Sequence, residues 1–245
     1  MAELTPEARA EHNSTQLRYY EQDKPGMVPT GSPYLQRHVD ALAGFAGLRP
    51  GQRVLEVGCG MGRYTLLLAE RGYAVEGLDL SPVLLERLRS FAGDRLELPL
   101  HVADVVEPPA ALLGAFDAVI GFFALHHIHD LSLSLRSMSR LLVPGGRIAF
   151  LEPNPYNPLY YVQMAVKPEM TWEGDRGMLR MRPGVILPAL ESAGLGDCAY
   201  RRFGFFPPFL ANAGGGGRAE AVLERVRPFR PMLPFQLFRG TLLSA

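Results

Sequence analysis

From residue 53 onward the chain alternates short apolar runs with longer stretches of helical period. Arg53–Val57 (RVLEV), Ala74–Leu78 (AVEGL), Leu98–Ala103, Phe116–Ile120 and Arg147–Glu152 are the apolar runs. They are near-continuous rather than alternating, the pattern of strands covered on both faces. Between them lie helical segments. Tyr64–Arg71 turns Leu66, Leu67 and Ala69 inward, with Gly72 placed as its C-cap. A second opens at Ser81-Pro82, with Ser as N-cap and Pro in the first turn. A third runs from Leu131 to Leu142, and Pro144-Gly145-Gly146 then reads as a turn. Before the alternation, Leu4–Tyr20 reads as a helix and Lys24–Pro33 as a loop. Tyr34–Phe45 follows, opened by Ser32-Pro33, with Leu35, Val39, Leu42 and Phe45 on one face. Strand–helix alternation implies parallel pairing through right-handed crossovers, so the fold class is α/β, a doubly wound, mostly parallel sheet.

Composition narrows the setting. Of 245 residues 47% are hydrophobic, enough for one large α/β domain with a sizeable core. Basic and acidic residues balance at 25 each, which gives no global field to recruit nucleic acid or an anionic membrane. Cys59 and Cys198 are far apart, so a disulfide framework is not expected. Met1–Arg18 is too polar for a secretory signal, and the longest apolar stretch, Phe116–Leu125, is short of the ~20 residues that span a bilayer. A cytoplasmic protein, monomer or homodimer, with no stable membrane association and no nucleic-acid partner is expected.

The chemistry concentrates at strand ends. Glu56-Val57-Gly58-Cys59-Gly60-Met61-Gly62-Arg63 joins the first strand to its helix. Glycines there allow a sharp turn and let a ligand lie against bare backbone. In open α/β sheets ligands bind outside the carboxyl ends of the strands. Asp79 closes the second strand, where a carboxylate can accept hydrogen bonds from ribose hydroxyls. Asp104 ends the third, and the fourth opens into Gly121-Phe122-Phe123-Ala124-Leu125-His126-His127.

VLEVGCGMGR, GLDLSP, ADV, FDAVIGFFALHHIHD and LVPGGRIAFLEPN together resemble the consecutive motifs of the class I, Rossmann-like S-adenosylmethionine (SAM)-dependent methyltransferases, closest to the branch acting on small molecules. The likeness covers roughly Arg53 to Asn154. It implies SAM as cofactor and S-adenosylhomocysteine (SAH) as product. It implies that Glu56, Gly58, Gly60 and Gly62 border the methionine part, that Asp79 holds the ribose, that Leu80 flanks the adenine, that Asp104 meets its amino group, and that Cys59, Arg63 and Val105 also bind the cofactor. Phe122 and His127 sit where that family's fourth strand opens beside the cofactor. It also implies a seven-stranded sheet, with Cys198–Phe205 and Phe235–Leu242 as the last two strands.

Methyl transfer needs alignment of the acceptor with the methyl group, exclusion of water and, for a high-pKa nucleophile, a base. His126, His127 and Glu152 are the candidate bases or acceptor-orienting groups. Residues 155–183, between the fifth strand and the next helix, form an unusually long connection rich in aromatic residues and methionine. Tyr156, Tyr160 and Trp172 there are candidate contacts for an apolar or aromatic small-molecule acceptor, with Met164, Met170, Met178 and Met181 in the same wall. Residues 1–45 read as a helical lid carrying Tyr19 and Tyr20, and 46–245 as the catalytic domain. Phe203–Leu210 (FGFFPPFL) is a second aromatic segment, suited to the pocket, a dimer patch or lipid, and Gly214–Gly217 reads as a flexible loop. No metal is expected, because neighbouring histidines on a strand-to-helix loop point different ways and lack a suitably spaced carboxylate. Among the alternatives, a nicotinamide-dependent oxidoreductase would want a glycine where Arg63 stands. A nucleic-acid methyltransferase would want an Asn/Asp-Pro-Pro-aromatic turn after the fourth strand. Methylation of a protein and a non-catalytic SAM-binding role carry no signature of their own.

Overall fold

The computed structural model describes residues 5–22, 27–166, 172–213 and 216–243. Leu4, Lys24–Gly26, Met170, Gly214 and Gly215, named above, lie outside them. Helix α1 (Pro6–Tyr20) is capped by Thr5, whose hydroxyl accepts from the Ala8 N–H, and α2 (Pro33–Ala46) by Ser32. The alternation then gives β1 (Arg53–Val57), α3 (Thr65–Glu70), β2 (Ala74–Asp79), α4 (Pro82–Ala92), β3 (Leu100–Val102), β4 (Phe116–Phe122), α5 (Leu131–Ser139) and β5 (Leu142–Pro153). After β5 come α6 (Pro158–Val166), α7 (Trp172–Asp175), a 3-10 segment at Arg176–Arg180 and α8 (Pro183–Ser192). Strand β6 (Leu195–Phe203), α9 (Pro208–Ala211), α10 (Gly216–Leu223), a 3-10 segment at Arg227–Met232 and β7 (Phe235–Leu242) complete the order.

The seven strands form one sheet in the order β3-β2-β1-β4-β5-β7-β6. Neighbours from β3 to β5 run parallel, and β7 pairs antiparallel with both β5 and β6. The apolar runs feed two cores. Leu55, Val57 and Val119 face one side and pack with Leu135 and Met138 of α5 and Ile186 and Leu190 of α8. Val54, Ala118 and Ile120 face the other and pack with Leu35, Val39 and Leu42 of α2 and Leu67 and Leu68 of α3. Each leucine or isoleucine removed from water in this way contributes roughly 1.5–3 kcal/mol.

Several boundaries move. Strand β5 starts at Leu142, inside the span assigned to the preceding helix, which ends at Ser139. Phe116 pairs with Leu142 but Ala118 with Arg147, so the Pro-Gly-Gly turn is a bulge within the strand. Strand β3 keeps only three residues, and α3 is capped at Arg71, with Gly72 following at φ 80°. Strand β7 forms where the resemblance implied, and β6 forms shifted, at Leu195–Phe203 rather than Cys198–Phe205; Leu237 and Phe238, fully buried on opposite faces, outweigh the Arg and Pro around them. No helix among the described residues is long and apolar enough to cross a membrane.

Candidate active site

Strand order reverses between β1 and β4, so the loops leaving their carboxyl ends diverge and leave a crevice. The cavity there has a volume of about 670 Å³, within the range of small-ligand sites. Its floor is the glycine loop. Gly58 has φ 69°, and a Cβ on it would lie 2.7 Å from the Ala124 Cβ, so only glycine lets this loop pass the end of β4. Gly62, at φ 84°, does a different job. A Cβ there would overlap Leu88, so glycine at this position seats α4 against the loop, and the residue itself does not line the cavity.

Two carboxyls organise this floor, Glu56 buried and Asp79 half-buried. Asp79 accepts from the Gly60 N–H at 2.8 Å and the Ser81 N–H at 2.9 Å, tying β2 to the glycine loop. Burial pushes its carboxyl up, against backbone hydrogen bonds that favour the charge. Glu56 accepts from Thr65 Oγ1 at 2.7 Å and is 1% exposed. Burial pushes it up to about 8, opposed by the Thr65 bond and assisted by Asp79. Asp104 stands further along the rim. One oxygen accepts from the Val106 N–H at 2.9 Å and the other from Asn13 Nδ2 at 2.7 Å, with Arg9 Nε 3.6 Å away.

Asn13 and Arg9 belong to α1, which lies across the opening. His12 Nε2 meets the His127 carbonyl at 2.7 Å, the Tyr20 hydroxyl meets His127 Nε2 at 2.5 Å, and Ser81 Oγ donates to Glu21 at 2.7 Å. This helix has no buried residue of its own. It is held by polar contacts to the ends of β3 and β4 rather than by an apolar face.

The wall above β4 carries the titratable groups. His126 Nδ1 lies 2.6 Å from Glu152 Oε2, and both side chains are buried. Glu152 Oε1 also accepts from the Ala124 and Leu125 N–H groups at 3.1 and 2.8 Å. Those bonds fix the carboxylate, which leaves Nδ1 as the donor and turns Nε2 of His126 to the cavity. The His127 ring packs 3.8 Å from that of His126. Asp175, at the end of α7, completes the group, and donor atoms of His126, His127 and Asp175 lie within 4.8 Å of one another. The expectation that the histidines diverge and lack a carboxylate is therefore corrected: the 155–183 connection folds back and supplies one. Such a set is able to hold a borderline divalent ion as well as to relay protons.

Glu56, Gly58, Cys59, Gly60, Arg63, Asp79, Leu80, Asp104, Val105, Phe122, His126 and His127 all line the cavity, as do Tyr19, Tyr20 and Tyr160. Two expected acceptor contacts do not. Tyr156 and Trp172 are 52% and 56% exposed, whereas Tyr160 of α6 lines the cavity. Met178 and Met181 of the same wall are buried in the interior, and Met181 packs in the core under α8. Glu152 is wholly buried behind His126, so it positions rather than touches an acceptor. Arg9, Asn13, His38 and Asp175 also line the cavity and carried no motif in the sequence. Phe205, Phe206 and Pro207 of the aromatic segment line it too.

A half-buried acid at the end of β2, a bare glycine turn at the switch point and a second acid at the end of β3 fit an adenosine ligand carrying an amino-acid tail. This sheet order with this site defines the class I, Rossmann-like SAM-dependent methyltransferase fold. Residues 55–150 match the family model described as a methyltransferase domain. The ubiquinone biosynthesis O-methyltransferase of Xanthomonas oryzae pv. oryzae (strain PXO99A) is 36% identical over 100 residues, 40% of this chain and 41% of that one. The 27-O-demethylrifamycin SV methyltransferase of Amycolatopsis mediterranei (strain S699) is 35% identical over 127 residues, 49% and 46% of the two chains. The chain thus spans less than half the length of these two curated relatives. Among solved structures, the geranyl diphosphate C-methyltransferase of Streptomyces coelicolor A3(2) superposes with a TM-score of 0.65 at 16% identity, over 99% of this chain and 100% of that one. The [4+2]-cyclase SpnF superposes at 0.59 with 19% identity, over 86% and 81%. One fold thus hosts different reactions, and the reaction has to be argued from the site.

Proposed function

We propose that this protein transfers the methyl group of SAM to a hydroxyl oxygen of a small, apolar or aromatic acceptor. The observation that carries the reading is the buried His126–Glu152 pair on the cavity wall. Two O-methyltransferases among the relatives support the choice of oxygen.

The glycine loop, Glu56, Asp79 and Asp104 would hold the cofactor, which when bound supplies an electrophilic methyl on a sulfonium. Everything else falls to the chain. A phenolic hydroxyl has a pKa of about 10 and is a poor nucleophile until its proton leaves. His126 Nε2 takes that proton as the oxygen attacks. Glu152 keeps Nδ1 protonated, holds the ring in one orientation and stabilises the imidazolium that forms, with its other oxygen anchored by two N–H groups. Tyr20 and α1 close the opening above, so water is displaced from the reacting centre. Phe122, Phe205, Phe206 and Tyr160 supply the apolar walls that orient an acceptor.

Purified protein incubated with SAM and a panel of hydroxylated aromatics, read by mass spectrometry for a gain of one methyl, tests this. His126→Gln and Glu152→Gln should lower kcat by roughly 10²–10⁴-fold while SAH affinity holds. Turnover unchanged in both variants would refute the role of the pair. SAH failing to bind the wild type would refute the function itself.

A further inference from the structure

The aromatic segment after β6 enters the cavity only in part. Phe205, Phe206, Pro207 and Pro208 line it, but Phe209 and Leu210 of α9 do not, and Phe209 is 74% exposed. Two further segments bring exposed apolar side chains to the same place. The Phe205 ring lies 5.8 Å from that of Phe229, centre to centre, so the approach to α9 sits beside the 3-10 segment at Arg227–Met232, where Phe229 and Met232 are exposed. Asn157 Nδ2 donates to the Met232 carbonyl at 2.7 Å, and Asn157 Oδ1 accepts from the Leu159 N–H at 2.8 Å, which ties that segment to the start of α6. Leu159 is 60% exposed and also lines the cavity, and Val162, one turn on, is exposed as well. Six apolar side chains from three segments thus stand beside the mouth of the cavity, a concentration that marks an interaction surface.

Charge on this surface has one sign. Arg225, Arg227 and Arg230 are exposed and interleave with Val226 and Phe229 along the chain. None of the three is in an ion pair among the described residues, and Arg230 meets only the Glu224 backbone carbonyl, at 3.4 Å. Residues 155–166, 203–213 and 225–235 contain neither Asp nor Glu. The two acids of α10 are already engaged. Glu220 accepts from the Phe206 N–H at 2.8 Å and lies 3.1 Å from Arg37 Nε, and Glu224 accepts from the Gly204 N–H at 2.6 Å and from Arg37 at 2.5 Å. The balance of charge over the whole chain therefore conceals a local excess of arginine.

Two occupants could cover such a face. A second copy seated face to face would set the arginines of both chains together, with no acid on either patch to answer them. A lipid surface bearing negative headgroups answers both features: its phosphates meet the guanidinium groups, and the boundary of its acyl region takes up the apolar side chains.

We infer that the face formed by α6, α9 and residues 225–232 docks this protein reversibly on an anionic lipid surface, with the mouth of the cavity beside the bilayer. The side chains reach only the interface, since no helix among the described residues is long and apolar enough to span it. The docking does not depend on the reaction proposed above.

Vesicle sedimentation of the full chain tests this without turnover. Vesicles of phosphatidylcholine alone, and vesicles with about a third phosphatidylglycerol, are mixed with wild type, R225Q/R227Q/R230Q and V162S/F209S. The wild type should bind the anionic vesicles, and binding should weaken at least roughly tenfold on phosphatidylcholine alone and at high salt. The arginine variant should lose about fivefold per residue, roughly 100-fold in all, on the anionic vesicles. V162S/F209S should lose roughly tenfold or more at every salt concentration, because its deficit is apolar. All five positions are exposed, so the thermal midpoints should stay at the wild-type value; if V162S/F209S unfolds, Phe209→Ser alone is read in the same way. A wild type that stays in solution with both kinds of vesicle overturns the inference, and so does binding that neither variant weakens. Self-association that V162S/F209S abolishes, without vesicle binding, also overturns it and gives the patch to a second copy.

Discussion

Glu56 offers a test of the cofactor site that needs no acceptor. Its carboxyl is 1% exposed and pushed by burial up to about 8, from an ordinary value of 4.5. At pH 7 a group of that pKa is ~0.9 protonated. If the ammonium of the cofactor's methionine part docks against it, the carboxyl ionises and the complex releases ~0.9 proton at pH 7, falling to ~0.1 at pH 9. Affinity should then drop about ninefold between pH 7 and pH 6, or ~1.3 kcal/mol. The stability of the empty protein has a matching sign. Between about 4.5 and 8 the folded state holds this proton and the unfolded chain does not, so stability falls as pH rises through that window and SAH restores it. The assay is titration with SAH at pH 7 in phosphate and in Tris, whose ionisation enthalpies differ; the difference in apparent heat counts the protons. Glu56→Gln should abolish the release. No release from the wild type, or the same release from the variant, would refute the reasoning.

Other outcomes follow from the same geometry. Asp79→Ala, which removes the acid bonded to Gly60 and Ser81, should weaken SAH binding by ~1.5–3 kcal/mol in calorimetry, and unchanged affinity would remove Asp79 from the site. Gly62→Ala, at φ 84° and against Leu88, should cost ~1–3 kcal/mol in urea unfolding. Leu135→Ala, fully buried under β4 and β5, should cost ~2–5 kcal/mol by the same measurement, with SAH affinity nearly intact.

What the sequence discloses follows from how local each signal is. Strands β1, β2 and β4 read directly because both their faces are buried, so their apolar runs have no competing pattern. The glycine loop and Asp79 read directly because turn geometry and strand end are local facts. The cover does not. Helix α1 buries no residue, and its grip depends on pairs such as Asn13 with Asp104, 91 residues apart. Asp175 is equally silent, since only the return of the 155–183 connection sets it beside His126 and His127. Tyr156 and Trp172 mislead for the converse reason: aromatic residues in a connection announce a wall without saying which of them faces the cavity. Glu152 sits at the predicted strand end, yet its burial behind His126 is a tertiary fact.

The antiparallel seventh strand has a consequence for how the molecule is made. Glu152 lies on β5, and the outer edge of β5 pairs with β7, Glu152 opposite Gln236. On a chain emerging from the ribosome, that partner begins 82 residues after β5 ends, the distance from Pro153 to Phe235. At about 5–20 residues per second the edge stays open for roughly 4–16 s. During that interval Leu151 and Phe150, apolar and rich in unpaired backbone groups, form an adhesive edge of the kind that templates aggregation. The nascent chain therefore has every motif of its ligand site on offer before it can close the sheet that holds the reacting pair in place.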